Sequence, residues 1–226
     1  MGRRGLLPQQ LHRRYVRPRR PVVTAVSLRG QGIAAASVRF EDICGALPAL
    51  ATLSLPENSL AGGISGVTAC TGFQDLTLAF NGFSGAVPNL SPLTKLRTLN
   101  ISSNCFAGAF PWASLVSMPE LAKPHRVSAA NIGGVIPPGI GDLLNLDDLE
   151  LADNYLTGEI PPEITKLTEL QVLDLYNNSL RGHLPVGFGK LTKLQWFDAS
   201  MNNLNGSLSE LRSLTQLVSL QLFDNT

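Results

Sequence analysis

The stretch LDLYNNSLRGHLP (residues 173–185) has a counterpart 24 residues earlier, LELADNYLTGEIP (149–161), and another 24 residues later, FDASMNNLNGSLS (197–209). Self-similarity at a fixed period constrains a fold more than any other single-sequence feature. Each copy is one supersecondary unit that buries its apolar face only against the next copy, so the chain must stack. Aligned on its asparagine, the series runs Asn58, Asn81, Asn104, Asn154, Asn178, Asn202 and Asn225, at spacings of 23 or 24 with one gap of 50. That gap holds one further unit, whose second half survives as NIGGVIPPGIGDL (131–143). With the first aliphatic residue of each unit as position 1, units begin at Leu50, Phe73, Leu96, Ala122, Leu146, Leu170, Leu194 and Leu217, with a weaker one at Val23.

Each position has a mechanical reason. Leu170, Leu173 and Leu175, at positions 1, 4 and 6, read as a short strand whose intervening side chains point outward. Asn178 at position 9 stands where the strand must turn, and its amide can bond backbone groups that no strand ladder reaches. Stacked unit on unit, these asparagines predict a buried ladder. Leu180 returns to the core, Gly182 permits a tight backbone, and Leu184-Pro185 stiffens the return path. Strands of successive units then lie parallel, about 4.8 Å apart. The wider strand side curves the stack and leaves a concave face lined by positions 2, 3, 5, 7 and 8. The expectation is an α/β leucine-rich repeat solenoid of about eight or nine units over residues 22–226. It is a curved right-handed superhelix of short parallel strands, with irregular or 3₁₀ turns on its convex side. The last unit is incomplete, and one unit is degenerate near 120–131.

The unit LDDLELADNYLTGEIPPEI (146–164) closely resembles the plant-specific leucine-rich repeat. Together with FDASMNNLNGSLSELRSLTQLVSLQLFDN (197–225), it resembles the first repeats of the ectodomain of a plant receptor-like kinase of the HAESA/HAIKU type. The resemblance implies a plasma-membrane or extracellular location and a peptide or protein ligand on the concave face. A co-receptor ectodomain is implied as a second partner, with signalling through an intracellular kinase that this chain lacks. It also implies that the ligand lies largely on more C-terminal repeats than those present here. The basic pair that such receptors use for a peptide's C-terminus has no counterpart in this chain.

Three departures from that family accompany the resemblance. Residues 1–20 carry seven arginines and no acid, which leaves eleven basic against seventeen acidic residues in the remainder, a net of −6. The segment lacks the apolar run of a secretory signal, and it reads as a basic, disordered tail over residues 1–21 instead of a signal peptide and paired-cysteine cap. The chain stops inside a unit at Asn225-Thr226, so the reading is of a receptor fragment truncated to its N-terminal repeats. In ELAKPHRVSAAN (120–131), positions 1, 4 and 6 fall on Ala122, His125 and Val127, with Pro124 beside them where a strand should run. A proline denies a ladder hydrogen bond, and the segment reads as the scar of a missing piece of about one repeat.

Other chemistry is excluded. Cys44, Cys70 and Cys105 are too few and too scattered for a disulfide framework, and their odd number leaves at least one thiol free. No phosphate-binding glycine loop or dinucleotide motif occurs, and the three histidines (His12, His125, His183) have no nucleophile or metal-ligand partner at useful spacing. The chain therefore reads as a non-enzyme without cofactor or metal. It contains no apolar run of the roughly 20 residues that span a bilayer, and no aromatic periodicity joins the arginine cluster to suggest a nucleic-acid partner.

The expected recognition surface is on the concave face. Position 5 reads Glu150, Asp174, Asp198 and Gln221 in four successive units, with Asp148 beside them at position 3. Stacked carboxylates about 5 Å apart repel, which favours a cationic partner or simply solvent, the second making this a solvated acidic strip with a chance aromatic cluster. Trp196, Tyr176 and Phe223 lie alongside at positions 3 and 7. Acids beside exposed aromatics suit an extended peptide carrying a basic residue. In a secreted chain, Asn89, Asn100, Asn177 and Asn205 are candidate N-glycosylation acceptors. Two other readings compete: a secreted inhibitor of a pathogen's cell-wall-degrading enzyme, which would carry cysteine-paired caps, and a truncated product without independent function. The final unit's Leu217, Leu220 and Leu222 meet no neighbour, which forfeits about 1.5–3 kcal/mol each. The isolated chain is thus expected to be marginally stable or self-associating. Calorimetry with light scattering checks this, and a cooperative, monomeric melt above about 60 °C would contradict it.

Overall fold

A computed structural model of the chain describes residues 22–226 except 117, 119–120 and 122–124. The basic segment 1–21 and the expected irregularities at Ala122 and Pro124 lie outside the described residues. The fold is a leucine-rich repeat solenoid. One short strand from each unit, three residues long except for the two-residue His125–Arg126, joins a nine-stranded parallel sheet in strict sequence order, from Ala25–Ser27 to Ser219–Gln221. Its register follows the repeat: Leu149 pairs with Leu173, Leu173 with Phe197, and Phe197 with Leu220.

Position 4 points into the stack and its two neighbours point out, as the pleat requires. Leu53, Leu76, Leu99, Leu149, Leu173 and Phe197 are thus fully or almost fully buried, as are the aliphatic or aromatic residues at positions 1, 6 and 11 in most units. These side chains form one continuous apolar core along the solenoid axis. Its caps are looser: Leu220 at the C-terminal end is exposed, and Leu217 and Leu222 are half-buried.

The asparagine at position 9 joins each unit to the one before. Asn178 Nδ2 donates to the carbonyls of Leu175 and Tyr176 in its own turn and to Leu151 of the preceding unit, at 3.0–3.1 Å, while Oδ1 accepts from Leu156 N at 3.0 Å. Asn81, Asn154 and Asn202 repeat the pattern. The ladder enables a backbone conformation that composition does not reveal. The residue just before it, at position 8, is left-handed in eight units: Glu57, Phe80, Ser103, Ala129, Asp153, Asn177, Met201 and Asp224 have φ between +49° and +58°. For a non-glycine residue this conformation costs roughly 1–2 kcal/mol, which the side-chain bonds of the following asparagine offset in each of these units except that of Ala129, where Ala130 follows.

Two expectations need correction, and one, the convex 3₁₀ turns, holds and is extended. Cys44 and Cys70 form a disulfide with Cα atoms 5.4 Å apart, so the N-terminal end carries a covalent clasp after all. It ties the helix Phe40–Ala46 to the end of the 3₁₀ turn Ser65–Ala69 in the next unit, while Cys105 is free and exposed. The convex side keeps its 3₁₀ turns and is more ordered than irregular turns alone. Beyond 3₁₀ segments, it has a short helix Trp112–Val116 and a second layer of strands after the asparagine, such as Tyr155–Glu159 and Ser179–Gly182. These form two four-stranded parallel sheets, one ending at Cys105–Phe106 and the other beginning at Gly133–Val135. Second, the degenerate unit keeps its strand. His125–Arg126 pairs with Thr98–Asn100 on one side and Asp148–Glu150 on the other. What this unit lacks is its asparagine: position 9 is the buried Ala130, and the convex layer thins at the same place to a single parallel bridge, Ala109–Gly133.

Asn178→Ala should lower unfolding stability by about 3 kcal/mol, because it strands buried carbonyls without a donor. Asn203→Ala, at an exposed position, should stay within about 0.5 kcal/mol of the parent. Urea unfolding of the two variants checks the contrast.

Candidate functional site

Positions 3 and 5 of each strand reach the concave surface, and the turn adds positions 7 and 8. The surface changes character along the stack. Position 5 is Ser27, Ser54, Thr77 and Asn100 in the first four units, Arg126 in the fifth, and Glu150, Asp174, Asp198 and Gln221 in the last four. On the strands, the N-terminal half carries mostly hydroxyls, and at the turns Arg29 pairs with Glu57 and Phe80 is exposed. The strand carboxylate Asp75, at position 3, accepts from the hydroxyls of Thr52 and Thr98 at 3.1 and 2.9 Å, one on each oxygen.

The predicted acidic row is real but not open along its length. Asp148 and Glu150 share a counter-ion, Arg126, whose Nη2 lies 3.6 Å from Asp148 Oδ2 and 3.2 Å from Glu150 Oε1. Asp198 is buried, and its Oδ1 accepts from Ser200 N at 2.9 Å. Asp174, half-buried between these two, accepts from Tyr176 N at 3.1 Å. The aromatic residues frame this stretch. Trp196 is 44% exposed at position 3, and Phe223 is 52% exposed at position 7. Tyr176 and Phe223 stand two units apart, yet their ring centroids are 6.4 Å apart. They close over the residue between them, Ser200, which is completely buried and whose Oγ has no hydrogen-bond partner among the described residues. Gln221, half-buried, ends the row.

The electrostatics follow from partial burial. Loss of solvent pushes the Asp174 carboxyl above its ordinary range. The bond from Tyr176 N opposes this, and the charges of Asp198 and Asp153 add to it. Asp148 and Glu150 are raised by the same desolvation despite Arg126, with Asp147 pressing on the first and Asp148 on the second. A negatively charged surface held in this way gains from a cation that restores the lost solvation.

Sequence reasoning missed two participants. Arg126 falls on position 5 once Ala122 is taken as position 1, so its register was available; the neighbouring proline and histidine drew attention away from it. Ser200 gave no signal, since its burial comes from two rings belonging to other units. The sequons divide by setting. Asn177 and Asn205 are exposed, with Asn177 Nδ2 donating to Asp153 Oδ1 at 2.8 Å. Asn89 is exposed but accepts from Ser91 N and Ser114 Oγ, and Asn100 is half-buried on its concave strand. Clefts of about 220 and 310 Å³ at the two ends of the stack are lined by core aliphatics such as Leu204 and Leu222, or Leu55 and Leu60, and are stacking surfaces of the repeat. Among the described residues no group of side chains could hold a metal ion, and no helix is long and apolar enough to cross a membrane.

The family model for the leucine rich repeat matches residues 144–204. No curated protein matches the chain. Solved structures do. The crystal structure of a TDR receptor is 31% identical with a TM-score of 0.83, over 90% of this chain and 35% of that one. The Arabidopsis receptor kinase HAESA, in complex with the peptide hormone IDA and the co-receptor SERK1, is 36% identical with a TM-score of 0.77, over 82% and 31%. The plant peptide hormone receptor RGFR1, in complex with RGF2, is 27% identical with a TM-score of 0.69, over 80% and 33%. This chain thus spans about a third of the length of each of these plant receptor structures.

Asp174→Asn should stabilise the fold at neutral pH. A carboxyl whose folded pKa is raised contributes its stability below the unfolded value, near 3.9, and loses it as pH rises through the folded value. The advantage of the variant should therefore shrink to nothing as pH falls toward about 4, as read from urea midpoints across pH.

Proposed function

We propose that this chain is a peptide- or protein-recognition module forming part of the extracellular domain of a plant receptor-like kinase of the HAESA/HAIKU type. Its ligand lies along the concave face between Asp148 and Phe223, contacting Asp174, Tyr176, Trp196, Asp198 and Gln221. In the intact receptor this binding is coupled to a co-receptor ectodomain and to a cytoplasmic kinase across the plasma membrane, and exposed sequons such as Asn177 and Asn205 carry glycans. The module itself acts by binding, not by catalysis.

One observation carries the reading: two large aromatic side chains, Trp196 and Phe223, stand half in solvent beside partly desolvated carboxylates. A solvated face gains nothing from exposed tryptophan, whereas aromatic residues flanked by charge are the side chains that dominate binding energy at interfaces. The likeness to ectodomains of a receptor solved with a peptide hormone and of a peptide hormone receptor supports the same class of ligand.

The test is selection of a displayed library of random linear peptides on the immobilised chain. Enriched peptides should bind the Trp196→Ala/Phe223→Ala double variant about tenfold or more weakly. They should bind Val186→Ala, at an 88% exposed convex position, as well as the parent. Equal binding to all three, or no enrichment, contradicts the proposal.

A further inference from the structure

Ser200 is one of several orphaned polar groups at concave positions, with Ser128 Oγ, Asp147 Oδ1 and Asp148 Oδ1, and it is the one that lies between two aromatic residues of the adjacent units. It is completely buried, yet its hydroxyl has no hydrogen-bond partner among the described residues. Buried polar groups are nearly always paired, and an orphan is costly unless something else completes it. Its surroundings indicate what that is. Strand register places Asp174, Asp198 and Gln221 side by side, so that two residues further on Tyr176, Ser200 and Phe223 follow one another in adjacent units. The two rings lean together above the serine, and the backbone N of Ser200 binds Asp198 Oδ1. Trp196 stands on the strand next to Asp174, roughly 8 Å away on the diagonal by strand geometry. The candidate subsite therefore has the buried hydroxyl of Ser200 and the buried carboxylate of Asp198, the half-buried Asp174 beside them, the paired rings of Tyr176 and Phe223, and Trp196 on the strand next to Asp174.

Resting on the concave-face reading above, we propose that this subsite anchors the ligand through one basic side chain, a guanidinium or primary ammonium. Its N–H groups bond the carboxylates of Asp198 and Asp174 and, as the Tyr176 and Phe223 rings part, Ser200 Oγ, while its flat or methylene part lies against Trp196, Tyr176 and Phe223. A multi-donor cation fits each feature: it satisfies the orphan hydroxyl, neutralises desolvated acids and packs on aromatic faces. A neutral donor group leaves the carboxylates uncompensated, and an anionic group is repelled by them. Arg126 limits the anchor to a single cation. By pairing with both Asp148 and Glu150, it occupies the upstream carboxylates as a second basic ligand residue would. The row therefore presents one free acidic position, at Asp174.

Two measurements test this on the whole chain. Trp196 is the exposed tryptophan, and the other, Trp112, is buried. Cesium ion should therefore quench emission more strongly than iodide, less so in Asp174→Asn and more so in Arg126→Gln. Second, the acetylated, amidated tripeptide Gly-Arg-Gly should bind, as followed by NMR shifts, while the neutral citrulline analogue should not. In Ser200→Ala its affinity should fall about tenfold, the cost of a lost bond to a charged donor, with the unfolding midpoint unchanged or higher because no bond is lost in the free protein. Unchanged affinity in Ser200→Ala, together with weakened binding in Asp174→Asn and Trp196→Ala, overturns the anchor and leaves the concave face as the ligand surface. Binding unaffected by all three variants overturns both. Equal binding of the citrulline peptide, or no binding of either, overturns the choice of a basic side chain.

Discussion

The asparagine ladder is the interaction on which the rest of this molecule depends. A repeat of 23 or 24 residues must reverse direction within a few residues of a three-residue strand. The backbone does this by passing through a left-handed residue that is not glycine, unit after unit. That geometry leaves carbonyls and amides pointing into the stack where neither strand layer reaches them, and an asparagine side chain, with two donors and an acceptor, completes them across the unit boundary. Because each amide bonds both its own turn and the previous one, it fixes the spacing between neighbours as well as the turn. The concave strands inherit their register from this, and the concave side chains inherit their alignment.

Function on such a scaffold is a matter of what the outward positions carry. Here they divide the inner surface into a hydroxyl-rich half and an acidic, aromatic half, with Arg126 at the border. The division coincides with the unit that has lost its asparagine. In that unit the convex layer thins to one bridge while the concave sheet continues. Irregularity is thus tolerated on the outer side, where turns vary, and the inner side keeps the register that aligns the charged and aromatic residues.

Much of this was legible in the sequence because the repeat repeats its physics. Leu173, Asn178, Leu180 and Gly182 each have one mechanical task, and seven asparagines in phase leave little choice of fold. The Cys44–Cys70 bridge escaped because it is not part of that period. The two residues meet only because a short helix and a 3₁₀ turn of adjacent units lie together on the convex side, although their separation of 26, close to one repeat, was a usable hint. The second layer of strands escaped because SLRG and YLTGE alternate too briefly to read as strands. The site was legible as composition and not as geometry. Asp148, Glu150, Asp174 and Asp198 look alike in the row, yet one pair is neutralised by Arg126, one member is buried, and the orphan hydroxyl of Ser200 arises from rings two units apart.

A single recognition surface requires that the inner sheet pass unbroken through the degenerate unit. There Val127 N binds Glu150 O at 2.9 Å and Ala129 N binds Ala152 O at 2.8 Å. Amide hydrogen exchange measures this directly. Val127 and Ala129 should be protected to the same degree as Leu151 and Leu175 in the regular units that follow. Exchange of the first pair at the rate of unstructured chain, with the second pair protected, would mean that the sheet is interrupted, that Arg126 does not face Asp148 and Glu150, and that the two halves of the concave face are separate surfaces.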